Sequence, residues 1–200
     1  MKCKAILFDA DGVVIRGERF SLQYTRDYGV PTETLDPFFR TAEFAQCLVG
    51  KQDLKEIIAP YVSTWEWKGS VDELLEYWFR AESVVDTELI AWIQTLRVQG
   101  IRCYLATNNE KYRTQYLRDV VGLGSLMDGV FSSSEIGVKK HDPRYFEAVL
   151  TSLAAAGIAK DEVVLFDDLQ ANIDCAQQFG FAAHFYTTFA DAERWLTEQK

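Results

Sequence analysis

The sequence has no long hydrophobic run and no excess of positive charge, and both absences narrow the class of protein. No apolar segment of the 200-residue chain approaches the roughly 18 to 20 residues of a membrane span. The N-terminus lacks a signal-peptide pattern, because its apolar run is short and ends in acids. The net charge of −9 argues against nucleic acid or an anionic membrane as the main partner. A small anionic ligand is compatible with this net charge, since its binding needs only a few local hydrogen-bond donors or a metal ion.

Cysteine is also scarce, and its spacing excludes two kinds of construction. Cys3, Cys47, Cys103 and Cys175 lie far apart and form no CxxC pair. We interpret them as reduced thiols of a cytoplasmic protein, not as a disulfide framework or a zinc site. The chain has no internal repeat, and its length suits one domain or one domain with an insert. The oligomeric state is left open.

Short apolar runs separated by helix-length segments predict a buried parallel sheet. The predicted strands cover 5–8, 101–106, 130–131, 163–166 and 182–186. The predicted helices that alternate with them cover 86–99, 109–120, 143–156, 169–179 and 189–199. This alternation indicates a doubly wound α/β fold.

Residues 16–83 interrupt the alternation and contain no convincing strand. Ser70 and Glu73 fit a capping box at the start of one of the helices expected there. The block therefore predicts an all-helical insert, with 1–15 and 84–200 as the core domain. Its aromatic residues are expected mainly to form the core of the insert. Helices are predicted in the insert over 21–28, 34–47, 53–61 and 71–82. Its candidate ligand contacts are Trp65, Trp67, Trp78, Arg16 and Arg40.

Polar side chains gather after the predicted strands. Since ligands bind at the carboxyl ends of strands in an open parallel sheet, these groups are expected to meet in one crevice. Singly, each has a simpler explanation as a turn former, a helix cap or a solvated surface charge. Together on one sheet they are hard to explain as independent caps. The residues are Asp9, Asp11, Thr107, Asn108, Lys140, Asp167 and Asp168.

The chemistry of this set is coherent. Neighbouring carboxylates repel one another unless a cation lies between them, and Mg²⁺ prefers such oxygen ligands together with a phosphate. Thr107, Asn108 and Lys140 are candidate donors to phosphate oxygens. A carboxylate can attack phosphorus, and a second carboxylate two residues later can act as general acid and then base.

At these residues the sequence resembles the haloacid dehalogenase superfamily of phosphohydrolases. The first family motif, DxDG after an apolar strand, corresponds to residues 9–12, and the second, Thr-Asn after a strand, to Thr107 and Asn108. The third, GxxKPDPxxF, resembles residues 137–146 and selects Lys140. The fourth, an acidic pair after a strand, is residues 167–168, and all four motifs occur in order. The resemblance covers about 1–15 and 84–190.

The resemblance implies a Rossmann-like core, a helical C1 cap over residues 16–83, and a Mg²⁺ site. It implies that Asp9 is the nucleophile and a metal ligand. It also implies that Asp11 is the acid/base and binds the metal through its carbonyl. Thr107, Asn108 and Lys140 then hold the phosphoryl group, and Asp168 binds the metal directly with Asp167 in support. One departure is His141, which replaces the usual proline and is expected either at the surface or at the rim of the site.

The expected function is Mg²⁺-dependent hydrolysis of a small phosphomonoester. A haloacid dehalogenase normally lacks the second acid of the first motif, so Asp11 argues against that activity. A phosphate-migrating mutase would carry the same acids, although the spacing from Asp167 to Asn172 looks more like the phosphatase branches. A non-enzymatic interaction module would not need to keep every acidic group. The sequence does not identify the substrate.

Overall fold

A five-stranded parallel sheet forms the centre of the computed structural model, which describes residues 3–199. Its strand order is β3-β2-β1-β4-β5, so the first strand lies in the middle. The predicted sheet is confirmed, with small shifts of the strand ends. The strands are β1 (Ala5–Phe8), β2 (Arg102–Thr107), β3 (Gly129–Ser132), β4 (Val163–Asp167) and β5 (Ala182–Phe185).

Helices flank the sheet and fill the segment between β1 and β2. In chain order they are α1 (Phe20–Tyr28), α2 (Thr32–Leu35), α3 (Ala42–Cys47), α4 (Leu54–Ile58), α5 (Tyr61–Thr64), α6 (Val71–Glu82), α7 (Thr87–Val98), α8 (Lys111–Gln115), α9 (Leu123–Leu126), α10 (Ser133–Ile136), α11 (Pro143–Ala154), α12 (Gln170–Phe179) and α13 (Phe189–Glu198). Among residues 3–199, none of these combines the length and the hydropathy needed to cross a membrane.

Strand β1 is buried on both faces, because helices cover both sides of the sheet. Ile6 and Phe8 pack into a cluster that includes residues of α7 and α13. Ala5 and Leu7 pack into the opposite cluster, which includes residues of α11 and α12. This two-layer burial explains the uninterrupted apolar run, and it makes the end of β1 a rigid attachment point.

The segment between β1 and α7 contains helices and turns around an aromatic cluster of its own. The longest helix there, α6, begins with the predicted capping box, in which Ser70 and Glu73 satisfy each other's backbone N–H groups. Trp65 is fully buried in this cluster, and Trp67 packs against it.

Two predicted helices of this segment are wrong in extent. Instead of one helix over 34–47, the chain forms α2, a 3₁₀ turn over Asp36–Arg40, and α3. Pro37 lies in the 3₁₀ turn, and the Thr41 side chain caps α3, so the chain restarts there. The predicted helix over 53–61 is divided into α4 and α5, which flank Pro60.

The segment after β2 also differs from the prediction of a single helix over 109–120. Glu110 caps α8 by accepting hydrogen bonds from the backbone N–H groups of Tyr112 and Arg113. The α-helical part ends at Gln115, and a π-helical turn follows it over Tyr116–Val120. The late start leaves Asn108 and Asn109 in a loop beside the ends of the strands.

Candidate functional site

The predicted polar residues lie at the carboxyl ends of three adjacent strands. Phe8 of β1 is paired with Leu105 of β2 on one side and with Phe166 of β4 on the other. The residues that follow them in the chain therefore come out at one edge of the sheet. Thr107 and Asp167 are the last residues of β2 and β4, and Asp9 directly follows β1.

Lys140 connects the two buried carboxylates of this edge. Its ammonium nitrogen lies 2.6 Å from Asp9 Oδ1 and 2.7 Å from Asp167 Oδ2. It also donates to the backbone carbonyl of Ala106 at 2.9 Å. Because the Lys140 side chain is fully buried, these three acceptors replace its hydration.

Asn108 positions the backbone at Lys140. Its side-chain Oδ1 accepts a hydrogen bond of 2.9 Å from the Lys140 amide N–H. The structure thus brings the second and third predicted motifs into direct contact. The neighbouring His141 is exposed and lines a surface groove with Cys175, which agrees with the expectation of a surface residue.

The electrostatics of the cluster are dominated by burial. Loss of water raises the pKa of Asp9 to about 8, since the attraction of Lys140 only partly offsets the burial and the repulsion from Asp167. Burial lowers the pKa of Lys140, but Asp9 and Asp167 outweigh it and raise that pKa overall. Burial, followed by repulsion from Asp167, raises the pKa of Asp168. A bound divalent cation would favour the ionised carboxylates.

Asp9, Asp167 and Asp168 form a set of oxygen donors suited to a hard cation. One carboxylate oxygen from each lies within 4.8 Å of the others. When all three are ionised, Lys140 compensates one charge and two negative charges are left, which matches a divalent ion. Oxygen-only ligands of this kind are typical of Mg²⁺.

The two members of the acidic pair have different surroundings. Asp167 is fully buried, and its oxygens accept hydrogen bonds from Asn172 Nδ2 at 3.0 and 3.2 Å and from the Leu169 amide at 2.9 Å. Asp168 is partly exposed. Asp168 therefore has the more accessible carboxylate, which supports its assignment as the direct ligand with Asp167 in support.

Gly12 makes room for Asp168. Its backbone has a φ of +90°, and a Cβ atom on it would lie 2.0 Å from Asp168 Oδ2. Both the left-handed conformation and the close approach therefore require glycine. This accounts physically for the glycine of the DxDG stretch.

The Asp11 side chain is held by two donors and lines a cavity together with Asp168. Arg113 Nη2 donates to its Oδ1 at 2.9 Å, and Asn109 Nδ2 donates to its Oδ2 at 2.8 Å. The same Asn109 amide donates to Thr107 Oγ1 at 2.7 Å. The Asp11 side chain lies outside the three-carboxylate cluster, so only its backbone carbonyl is left as a candidate metal ligand.

Arg113 and Asn109 are site residues that the sequence analysis missed. Arg113 is only 3% exposed, although it lies on a short helix that carries exposed charges. It is four residues before the buried Leu117, hence on the same helical face. The sequence pattern that could have identified Arg113 is therefore a charged residue on an otherwise buried helical face. Asn109 had no distinguishing signal, because an asparagine before a helix is ordinary.

A cavity of about 310 Å³ lies between the helical segment and the ends of the strands. Asn108 and Asn109 line it from the sheet side. A second cavity of about 300 Å³ reaches Asp11 and Asp168 and shares Arg19 and Glu82 with the first. From the helical segment the first cavity is lined by Arg19, Phe20, Ser21, Asp36, Phe39, Arg40, Phe44, Leu48, Trp78 and Glu82.

The candidate contacts of the helical segment separate into two groups. Arg40 and Trp78 line the first cavity, and Trp78 Nε1 donates to Glu82 at 2.8 Å. Trp65 is buried away from both cavities, as expected for a core residue. Arg16 lines neither cavity and forms a salt bridge with Asp86 and a hydrogen bond with Tyr186.

Comparison with known proteins identifies the family. Residues 3–180 match the haloacid dehalogenase-like hydrolases. The chain belongs to this family. The match spans most of the sequence and includes all four stretches that form the acidic site.

This hydrolase also has relatives that carry functional names. It is 26% identical over 194 residues to the phosphatase MT3486 of Mycobacterium tuberculosis, covering 92% of this chain and 87% of the relative. It is 28% identical over 98 residues to the GMP/IMP nucleotidase YrfG of Escherichia coli, covering 49% of this chain and 43% of the relative.

Solved structures confirm the Rossmann-like fold of this hydrolase. A HAD family enzyme of Bacteroides thetaiotaomicron, solved with magnesium and inorganic phosphate, aligns with a TM-score of 0.77 at 20% identity, over 94% of this chain and 96% of that one. The L-2-haloacid dehalogenase of Xanthobacter autotrophicus aligns with a TM-score of 0.68 at 18% identity, over 98% of this chain and 83% of that one.

Proposed function

We propose that this hydrolase is a Mg²⁺-dependent phosphatase of small phosphomonoesters that works through an aspartyl-phosphate on Asp9. The observation that carries the proposal is the acidic cluster around Lys140, together with a further carboxylate, Asp11, at the same edge of the sheet. The phosphatase and nucleotidase relatives support the substrate class. The Bacteroides neighbour solved with magnesium and phosphate supports the cofactor.

In this proposal Asp9, Asp168 and the Asp11 carbonyl hold the Mg²⁺, and Asp167 supports them. When bound, the ion neutralises the charge of the phosphoryl oxygens and of the acids. The donor groups of Thr107 and Asn108 are assigned to the phosphoryl oxygens. Lys140 is assigned to the same group as the cation that offsets its negative charge, since its three N–H groups already meet Asp9, Asp167 and the Ala106 carbonyl.

The reaction has two balanced steps. An Asp9 oxygen bonds to phosphorus as the ester P–O bond breaks, and Asp11 gives a proton to the leaving alcohol oxygen. Water then bonds to phosphorus as the acyl-phosphate bond breaks, and its proton goes to Asp11. Phosphate leaves, and both carboxyl groups return to their starting forms. Positioning and charge neutralisation carry most of such catalysis.

We further propose that residues 16–83 serve as the cap that selects the leaving group. The first cavity, between the helical segment and the ends of the strands, supports this role, since it is lined on one side by Phe39, Arg40 and Trp78 and on the other by Asn108. A leaving group there would adjoin the proposed phosphoryl site. The cap would also exclude water during the transfer.

Phosphate release from a panel of phosphomonoesters, with Mg²⁺ and with excess chelator, tests the proposal. The wild type should release phosphate only with Mg²⁺, and Asp9→Asn should abolish release. Asp161→Asn is the matched control, because Asp161 is an exposed aspartate on a 3₁₀ turn ahead of β4. Absence of release from every ester would overturn the proposal. Transfer of phosphate within the substrate instead of to water would establish the mutase alternative.

A further inference from the structure

Arg113 joins the proposed acid/base to the end of the helical segment. Its Nη2 donates to Asp11 Oδ1 at 2.9 Å. Its Nη1 donates to the Phe79 carbonyl at 2.8 Å and to Ser83 Oγ at 2.6 Å. One planar guanidinium thus bonds simultaneously to the loop after β1, to the last turn of α6 and to Ser83, which directly follows that helix.

The surroundings of Arg113 leave it few alternative positions. The side chain is almost completely buried, and its guanidinium carbon lies 5.7 Å from the centre of the Phe79 ring. Ser83 Oγ in turn donates to the Phe79 carbonyl at 2.6 Å, which completes a small hydrogen-bonded ring. The backbone end of this arrangement is rigid because Glu110 caps the short helix that carries Arg113.

Asp11 has no comparable support of its own. Its side chain is about half exposed, and Arg113 and Asn109 are the donors to its two oxygens. An exposed carboxylate on a loop samples several rotamers unless other groups hold it. The buried guanidinium of Arg113 has a fixed position, so its hydrogen bond to Asp11 fixes the orientation of the Asp11 carboxylate.

We propose that Arg113 is a positioning residue that orients Asp11 for proton transfer, and that Phe79 and Ser83 set its own position from the helical segment. The inference rests on the proposed function, because it concerns the acid/base of that reaction. Arg113 acts through Asp11 and is assigned no contact with the substrate.

A comparison of two leaving groups tests the role. 4-Nitrophenolate leaves without a proton, whereas an alkoxide needs one from the acid, and kcat/KM reports the first transfer to Asp9. In Arg113→Met, kcat/KM for the best alkyl phosphomonoester of the panel should fall by about tenfold or more, while kcat/KM for 4-nitrophenyl phosphate falls much less. Arg113→Lys should recover part of the alkyl activity, since it keeps the charge but not the planar fork.

Two further variants guard against a simple failure to fold. Ser83→Ala keeps the Arg113 guanidinium but removes one of its hydrogen-bond acceptors. Its kcat/KM for the alkyl ester should therefore fall more than that for 4-nitrophenyl phosphate, by a smaller factor than in Arg113→Met. In an Asp11→Asn background, Arg113→Met should have no additional effect on the ratio of the two esters. Arg118→Met is the matched control, since Arg118 lies five residues later and pairs at the surface with Glu135.

An equal loss on both esters, or a loss that persists in the Asp11→Asn background, would overturn the inference and make Arg113 a structural or phosphoryl-binding residue. A wild type that hydrolyses neither ester would instead contradict the proposed function. The two failures are therefore distinguishable.

Discussion

At the scale of single residues, two aspartates two positions apart have opposite surroundings. Asp9 is 6% exposed and pairs with Lys140, whereas the Asp11 side chain is 48% exposed and pairs with Arg113. The difference suits two roles, because a nucleophile benefits from a fixed, dehydrated position and an acid/base needs access to the leaving oxygen and to water. Gly12 directly follows them, and its lack of a side chain leaves room for the Asp168 carboxylate.

Gly12→Ala should damage cation binding beyond its effect on stability. A Cβ there would meet the Asp168 carboxylate at 2.0 Å, so we expect the Mg²⁺ affinity to fall by about tenfold or more, measured by titration calorimetry. The strain of the left-handed conformation should cost about 1–2 kcal/mol of unfolding free energy.

Gly100→Ala separates these two effects. Gly100 has a φ of +86° and nothing within 4 Å of an added Cβ, so it should lose similar stability and keep the wild-type Mg²⁺ affinity. Unchanged Mg²⁺ affinity in Gly12→Ala would contradict the assignment of Asp168 as a direct ligand.

At the scale of elements, the short helix α8 depends on a buried acidic cap. Glu110 is 3% exposed and accepts two backbone hydrogen bonds, including one from Arg113. Burial raises the pKa of Glu110 to about 6, despite these hydrogen bonds. Helix α8, which carries Arg113, is therefore capped by a carboxylate, Glu110, whose negative charge is destabilised by burial in the folded state.

This cap makes part of the stability dependent on pH. The folded pKa of Glu110, about 6, lies above its value of about 4.3 in an unfolded chain. Its contribution is fully present below about pH 4.3 and is lost as the pH rises through 6. In excess chelator, denaturant unfolding should show a steeper loss of stability from pH 4.5 to 7 in the wild type than in Glu110→Gln.

The exposed Glu147→Gln on α11 is the control, and its slope should match that of the wild type. Parallel slopes for the wild type and Glu110→Gln would show that Glu110 titrates normally. The comparison of variants isolates Glu110 from Asp9, whose raised pKa acts with the same sign.

At the scale of the whole molecule, we expect the proposed metal site to couple cation binding to folding. Its three carboxylates come from the segments after β1 and at the end of β4, which are more than 150 residues apart in the chain. Since the unfolded chain does not bring them together, a cation that binds them stabilises the folded state.

Mg²⁺ at about 100 times its dissociation constant should raise the unfolding free energy by about 2.7 kcal/mol, measured by chemical denaturation. Asp168→Asn should lose most of this increment, and Asp161→Asn should keep it. An increment that is the same in all three proteins would place the stabilising ion elsewhere on the molecule.

Most of the strands and several helix ends of this protein can be predicted from local sequence patterns. Apolar runs of five strands, the Asp86 cap of α7 and the Ser70 capping box all appear in the structure as expected, because each is decided by neighbours in the chain. The helices over 34–47 and 53–61 were wrong in extent, because proline and a capping threonine outweighed the apolar periodicity. The division into core and cap stays a prediction.

The sequence by itself determined which acids follow which strands, and a parallel sheet then obliges those ends to meet at one edge. Only the tertiary structure decided the pairings of Lys140 with both buried aspartates and of Arg113 with Asp11. Those contacts join groups far apart in the chain, and the burial that gives them their strength exists only once the layers have packed.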